Sequence, residues 1–402
     1  MQNVHVPALA RRMKEQEWIY DRLIAAGGAD FYWPMTEETL CTVGMDGSAD
    51  IKSVRGGIKR VAHITREMVR IAQKRESMAK EAEAEGHLIT AGKNYFMAAA
   101  YYTMSQGPIH GEHPLNHQLS EKKNACYASY MQYAMHPVRA VDIPFGSKSL
   151  PAYLHLPPHV KGPCPCVVFL GGMDNFKEML VTSCDKFLER GIALLAIDGP
   201  GQNEAKISHD ISVSADNFVD AGRAAMDYLL TLTEIDSQKI GITGISMGSY
   251  WVMQIAAADT RYKAACGFYV CHESGMHTIF DVAIPMFKDR YMWMSGYTNE
   301  EEFDAFAKTL TLQGLGEKIK CPILMIAGED DDLSPIDHSY KLYDEITAPK
   351  TLVVYKNELH GVSDNLDVRA LMADWMTDRF ADKPLVSRCI HRDCRTGKEV
   401  NP

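Results

Sequence analysis

Apolar residues recur at three- and four-residue steps in the first third of the chain. Ile58, Val61, Ile64, Met68 and Ile71 fall on one face of a helix, with Gly86 as its stop. The stretches 88–107 and 120–137 read as two more helices, the second capped by Ser120 and ending before Pro137. Residues 1–137 are thus predicted to form a helical domain. Beyond 137 the period changes. "VRAVDIPFG" and "SLPAYLHLP" are extended runs joined by a turn at Gly146, which predicts a hairpin. Short, nearly continuous apolar runs follow at 164–172, 191–201, 239–246, 263–272, 321–330 and 351–360. Helical stretches are predicted at 178–190, 213–233, 247–259, 336–346 and 363–380. Such alternation predicts an α/β fold over 138–383, with a mostly parallel, doubly wound sheet covered on both faces. Residues 272–320 break the alternation and are rich in methionine and aromatics, as a lid insert would be. The polar run 384–402 reads as a loosely ordered tail.

Composition narrows the function classes. The 402 residues, 46% of them apolar, suffice for a large core. A net charge of -10 disfavours nucleic acid and anionic lipid as partners, since phosphate binding needs a basic face. No apolar run reaches the ~18–20 residues that span a bilayer, and the N-terminus lacks a signal-peptide apolar region. A soluble, cytoplasmic protein with no membrane partner is expected. The ten cysteines are scattered, and several lie in apolar runs where a buried free thiol is the usual reading. Neither a disulfide framework nor a zinc site is expected.

One short motif carries candidate chemistry. In "KIGITGISMGSYWVMQIAAA" a strand leads into Gly244-Ile245-Ser246-Met247-Gly248 and then into a helix. That context is what a nucleophile elbow needs, with Ser246 on a tight turn and small neighbours letting strand and helix approach. A serine hydroxyl needs a base, and the base needs an orienting acid. In this arrangement the acid and then the histidine follow the serine along the chain. "CPILMIAGEDDDLSP" offers Asp330, Asp331 and Asp332, and the spacing G-x-x-D-x-x-x-P selects Asp331. "TLVVYKNELHGVSD" offers His360, just after the last predicted strand and before Gly361. The cluster His110, His113 and His117 contains Pro114 and lacks carboxylates beyond Glu112, so it reads as a surface or hinge segment, with no metal. Oxyanion donors are expected at the N–H of Met247 and at Gly172 or Met173 in "FLGGMDNFKEML". Phe280, Met286, Phe287, Tyr291, Trp293 and Tyr297 suggest an apolar pocket wall, with packing inside the lid as the equal alternative.

Together "FLGGMDNFKEM", "AIDGPGQNEA", "GISMGSY", "AGEDDDLSP" and "ELHG", in that order, resemble α/β-hydrolases with a helical N-terminal cap domain. That group includes 2,6-dihydroxypseudooxynicotine hydrolase and fungal pigment-pathway hydrolases that shorten polyketides. The resemblance covers most of 138–380. Asn203 departs from it, standing where relatives usually carry glycine. The resemblance implies the α/β-hydrolase fold, a Ser246–His360–Asp331 triad without cofactor, helices covering the pocket, and a homodimer. It also implies a bulky, aromatic or polyketide-like small-molecule substrate. Some relatives cleave a carbon–carbon bond beside a ketone. Others are carboxylesterases, and a lactonase is a related alternative. Glu273, just past a strand, is a candidate auxiliary acid, with a salt bridge the better reading. A noncatalytic ligand-binding protein on the same fold is the remaining alternative, disfavoured by the complete set of three residues.

Overall fold

The computed structural model describes residues 12–31, 42–109, 111–362 and 367–401. Helices α1 (Arg12–Gly27), α2 (Ser48–Arg55), α3 (Val61–Ala84), α4 (Leu88–Gln106) and α5 (Pro114–Tyr133) come first. The apolar face of α3 is buried: Ile64, Met68 and Ile71 share one core with Ala98, Tyr101 and Tyr102 of α4 and Tyr127 of α5. Buried carboxylates fasten these helices. Asp50 pairs with Arg75 at 2.6 Å, and Glu76 accepts the Tyr102 hydroxyl at 2.7 Å. Helix α5 starts at Pro114, not after Ser120. The extended His113 accepts the Leu115 N–H at 3.1 Å, and Pro114 occupies a first-turn position where no donor is needed. Ser120 is buried inside the helix.

Among the described residues ten strands form one sheet, in the order β1-β2-β4-β3-β5-β6-β7-β8-β9-β10. They are β1 (Val138–Phe145), β2 (Lys148–His155), β3 (Cys164–Leu170), β4 (Ala193–Ile197), β5 (Ile235–Ile245), β6 (Ala265–Phe268), β7 (Ile323–Gly328), β8 (Lys350–Lys356), β9 (Arg388–Asp393) and β10 (Glu399–Val400). The predicted hairpin is β1–β2, and the strands from β4 through β9 pair in parallel. The later helices are α6 (Lys177–Glu189), α7 (Asn203–Ile207), α8 (Asn217–Leu230), α9 (Met247–Ala258), α10 (Pro285–Ser295), α11 (Glu300–Ala307), α12 (Ile336–Glu345) and α13 (Val368–Phe380). Side chains alternate across the sheet. Val168 and Leu170 pack with α8, α9 and α12 on one face. Val167 and Phe169 pack with α6 and α13 on the other.

The polar tail is not loose. Strand β9 pairs with β8 from Arg388 through Asp393, and β10 folds back on β9. Ile390 joins the core beside Val353 and Trp375. A strand with so few buried apolar residues has almost no period-2 signal, which hid it in the sequence. Helix α8 starts at Asn217, where Ser214 and Asn217 cap each other: Ser214 N–H donates to Asn217 Oδ1 (2.9 Å) and Asn217 N–H to Ser214 Oγ (3.1 Å). The beginning of the helix predicted from 363 and His110 lie outside the described residues. No described helix is long and apolar enough to cross a membrane.

Candidate active site

Strand β5 delivers Ser246 to the edge of the sheet, and α9 begins at the next residue. Ser246 has φ 53° and ψ -125°, a conformation that non-glycine residues rarely adopt. Close packing enforces it. A Cβ on Gly248 would lie 2.4 Å from the Leu170 carbonyl oxygen, so helix and β3 can meet here only through glycine. The Ser246 N–H donates to Phe268 O at 3.0 Å, which ties the turn to β6.

Two later strands bring the partners. The Ser246 hydroxyl lies 2.8 Å from His360 Nε2, and His360 Nδ1 lies 2.9 Å from Asp331 Oδ2. Asp331 is held in turn: its Oδ1 accepts the N–H groups of Leu333 (2.9 Å) and Ser334 (2.8 Å). Gly328, three residues before Asp331, lets the β7 loop run against the histidine loop; a Cβ there would sit 2.3 Å from Glu358 O. The competing acids are placed elsewhere. Glu329 pairs with Lys356, Asp332 is exposed, and the Asp330 N–H bonds Glu358 O at 3.0 Å.

His360 has a further neighbour that sequence patterning left in the core. The buried Cys271 Sγ is 3.6 Å from Ser246 Oγ and lies beside His360. Burial disfavours the imidazolium, but the Cys271 sulfur and the Asp331 carboxylate favour it and prevail, raising the His360 pKa above its ordinary 6.5.

Loop 171–175, after β3, lies against Ser246: a Cβ on Gly172 would be 3.1 Å from the Ser246 Cβ. Its amides differ in availability. Gly172 N–H donates to Asn175 Oδ1 at 2.8 Å, whereas the Met173 N–H makes no hydrogen bond among the described residues. The Met247 N–H is the first amide of α9 and has no partner within the helix.

The remaining predicted residues serve the insert. Glu273 Oε2 accepts the Thr278 N–H at 2.7 Å, and its other oxygen is 3.9 Å from His338 Nε2, the salt-bridge geometry. Phe280 and Tyr291 are buried in a ring cluster with Phe303, and Tyr297 stacks on Phe306 at 5.1 Å. Phe287 packs on the core of the sheet, and Met286 packs on the N-terminal helices. Trp293 lies under Arg290, whose guanidinium carbon is 4.9 Å from the ring centre. His113 caps α5, and His117 is 3.8 Å from Glu112. Among the described residues no group of three or more histidine, cysteine or carboxylate side chains could hold a metal ion.

The chain as a whole is similar to known proteins. The family model described as "Esterase FrsA-like" matches residues 63–381. The chain belongs to this family. Hydrolase ORFZ of Pyricularia oryzae is 28% identical to the FrsA-like chain over 232 residues, covering 54% of this chain and 53% of that protein. The match thus spans about half the length of this fungal relative. The 2,6-dihydropseudooxynicotine hydrolase of Paenarthrobacter nicotinovorans is 25% identical over 313 residues, 77% of this chain and 82% of that one. The crystal structure of the 2,6-dihydroxy-pseudo-oxynicotine hydrolase superposes with a TM-score of 0.78 at 22% identity, covering 88% of this chain and 98% of that one. The FrsA-like chain therefore has the α/β-hydrolase fold.

Proposed function

We propose that this FrsA-like protein is a serine hydrolase that attacks a carbonyl carbon through Ser246. The observation that carries this reading is the continuous relay from Ser246 Oγ through His360 to Asp331, at 2.8 and 2.9 Å. His360 takes the hydroxyl proton as Oγ bonds to carbon, and Asp331 steadies the imidazolium. The oxyanion meets the N–H groups of Met247 and Met173. Gly172 drops out of that role because its N–H is committed to Asn175. The tetrahedral intermediate collapses, His360 protonates the leaving group, and water repeats the sequence to free the acid.

The substrate is a bulky aromatic or polyketide-like ketone, cleaved at the carbon–carbon bond beside the carbonyl. The leaving group is then an enolate, whose charge a second carbonyl or ring absorbs before His360 supplies the proton. A second reading, ester or lactone cleavage, is favoured by the esterase description of the family. Its leaving group is an alkoxide or phenolate, and the serine machinery is the same.

Ser246→Ala should lower turnover of an activated aryl ester by at least ~10³. Near-wild-type rates in that variant would remove the serine reading. Incubation with a panel of aryl esters and aryl β-diketones, with products identified by mass, separates the two bond types. Release of a ketone plus an acid from a diketone supports carbon–carbon cleavage. Hydrolysis of esters alone supports the second reading, and saturable binding of the panel without turnover supports a ligand-binding protein.

A further inference from the structure

The loop that offers the Met173 N–H makes few bonds of its own, yet side chains hold its carbonyls one after another. Gln202 Nε2 donates to Gly171 O at 3.0 Å and to Gly172 O at 2.7 Å. Asn203 Nδ2 donates to Asn175 O at 2.6 Å. Arg290 Nε reaches Met173 O at 3.4 Å, a long bond. Asn203 and Arg290 also bond each other, Arg290 Nη2 donating to Asn203 Oδ1 at 2.9 Å. Both side chains are buried, and Arg290 comes from α10 in the insert. Asn203 has φ 26°, in the region that favours glycine. The chain thus keeps a side chain where glycine would relieve the backbone, and that side chain bonds both the loop and the insert, with a longer contact from Nδ2 to Asp198 Oδ1 at 3.4 Å.

We propose that Asn203 and Arg290 are positioning residues that latch the insert to loop 171–175 and so set the Met173 N–H for the oxyanion. The inference rests on the serine-hydrolase reading above. The carbonyl of Asn175 is pulled from one side by Asn203 and that of Met173 from another by Arg290. The peptide between Gly172 and Met173, whose own carbonyl Gln202 holds, is thereby braced on its far side as well and has little freedom to turn away from Ser246. Gln202 fixes the first half of the loop, and the latch fixes the second half. A transition-state oxyanion gains from a donor only when the donor is already in place, so the latch acts on turnover rather than on substrate capture.

Asn203→Gly is the test, because it removes the side chain while easing the φ 26° backbone. The wild type, N203G, R290K and the double variant are compared on an activated aryl ester, with a trifluoromethyl ketone as the tetrahedral oxyanion mimic. N203G should lower kcat by roughly tenfold to a hundredfold with KM within about twofold. It should weaken the trifluoromethyl ketone by a similar factor while the melting temperature stays near that of wild type. R290K, which keeps the charge but loses the planar fork, should fall in the same direction. The double variant should be little worse than the poorer single one, since the two act as one unit. Unchanged kcat and ketone affinity in N203G overturn the latch, as does a loss confined to KM or one that tracks a fall in melting temperature. Wild-type protein that neither turns over the ester nor takes up the ketone overturns the serine reading, and the latch with it. Wild-type protein that does both while N203G equals it overturns the latch alone.

Discussion

Lys123→Met tests how the helical region is anchored to the sheet domain. Lys123 of α5 is buried against Glu178 of α6, and Glu178 also accepts Lys177 Nζ at 2.7 Å. Lys177 further pairs with Glu204 and lies 3.5 Å from Asp198, and Lys123 is 3.9 Å from Glu204. Two lysines thus face three carboxylates. Methionine fills similar volume but leaves one lysine for the same three acids. Breaking a buried pair from one side costs about 3–5 kcal/mol, because the stranded charge has lost its water. For a chain of 402 residues that is a fall in melting temperature of roughly 4–6 °C. The pH dependence adds a sign. Burial works against the Glu178 carboxylate, but Lys123 and Lys177 prevail and lower its pKa. Its contribution is therefore present above the ordinary 4.5 and lost as pH falls through the lowered value. In the variant the carboxylates regain protons at higher pH. Asp198, whose pKa burial already raises, is the first to do so. Thermal melts of both proteins between pH 7 and pH 5 should show the full deficit at pH 7 and a narrowing toward pH 5. Equal melting at pH 7, or a deficit constant across the range, would refute the idea that Lys123 neutralises this cluster.

Two further outcomes are expected. Cys271→Ala removes a group that favours the His360 imidazolium, so the acid limb of the kcat/KM profile should move to lower pH than in wild type. A limb that stays put or rises would show that the thiol does not act on His360. Gly248→Ala drives a methyl to 2.4 Å from Leu170 O, so it should cost at least ~1–3 kcal/mol and abolish phosphonate labelling of Ser246; retained labelling with wild-type melting would contradict the packing argument.

Much of this molecule was legible in its residues, for local reasons. Strands β3, β4, β6 and β7, the second half of β5 and the middle of β8 are almost wholly apolar, because both faces are covered, and such runs stand out. The three side chains that meet at Ser246 could be picked out because backbone contacts dictate their spacing. Gly248 must pass Leu170, and Gly328 must pass Glu358. What escaped was non-local. Arg290 meets Asn203 across 87 residues, with no motif linking them. Cys271 stands in an apolar run and looks like core, and only the folded turn brings its sulfur to Ser246. Gly172 and Met173 are adjacent and equivalent as letters; the side chain of Asn175 separates them. Helix α5 is longer than a cap at Ser120 predicts, because His113, seven residues earlier, caps it.

Strand β9 has a bearing on how the protein is made. A ribosome releases β8 well before β9, since Lys356 and Arg388 are separated by α13 and its flanking loops. Until β9 arrives, β8 is an open border with unclaimed amides and carbonyls, and it leads directly into the segment bearing His360. A half-made chain would therefore hold its serine turn complete while the neighbouring border is still able to recruit a stray strand. Chaperone demand during synthesis should be concentrated in that interval.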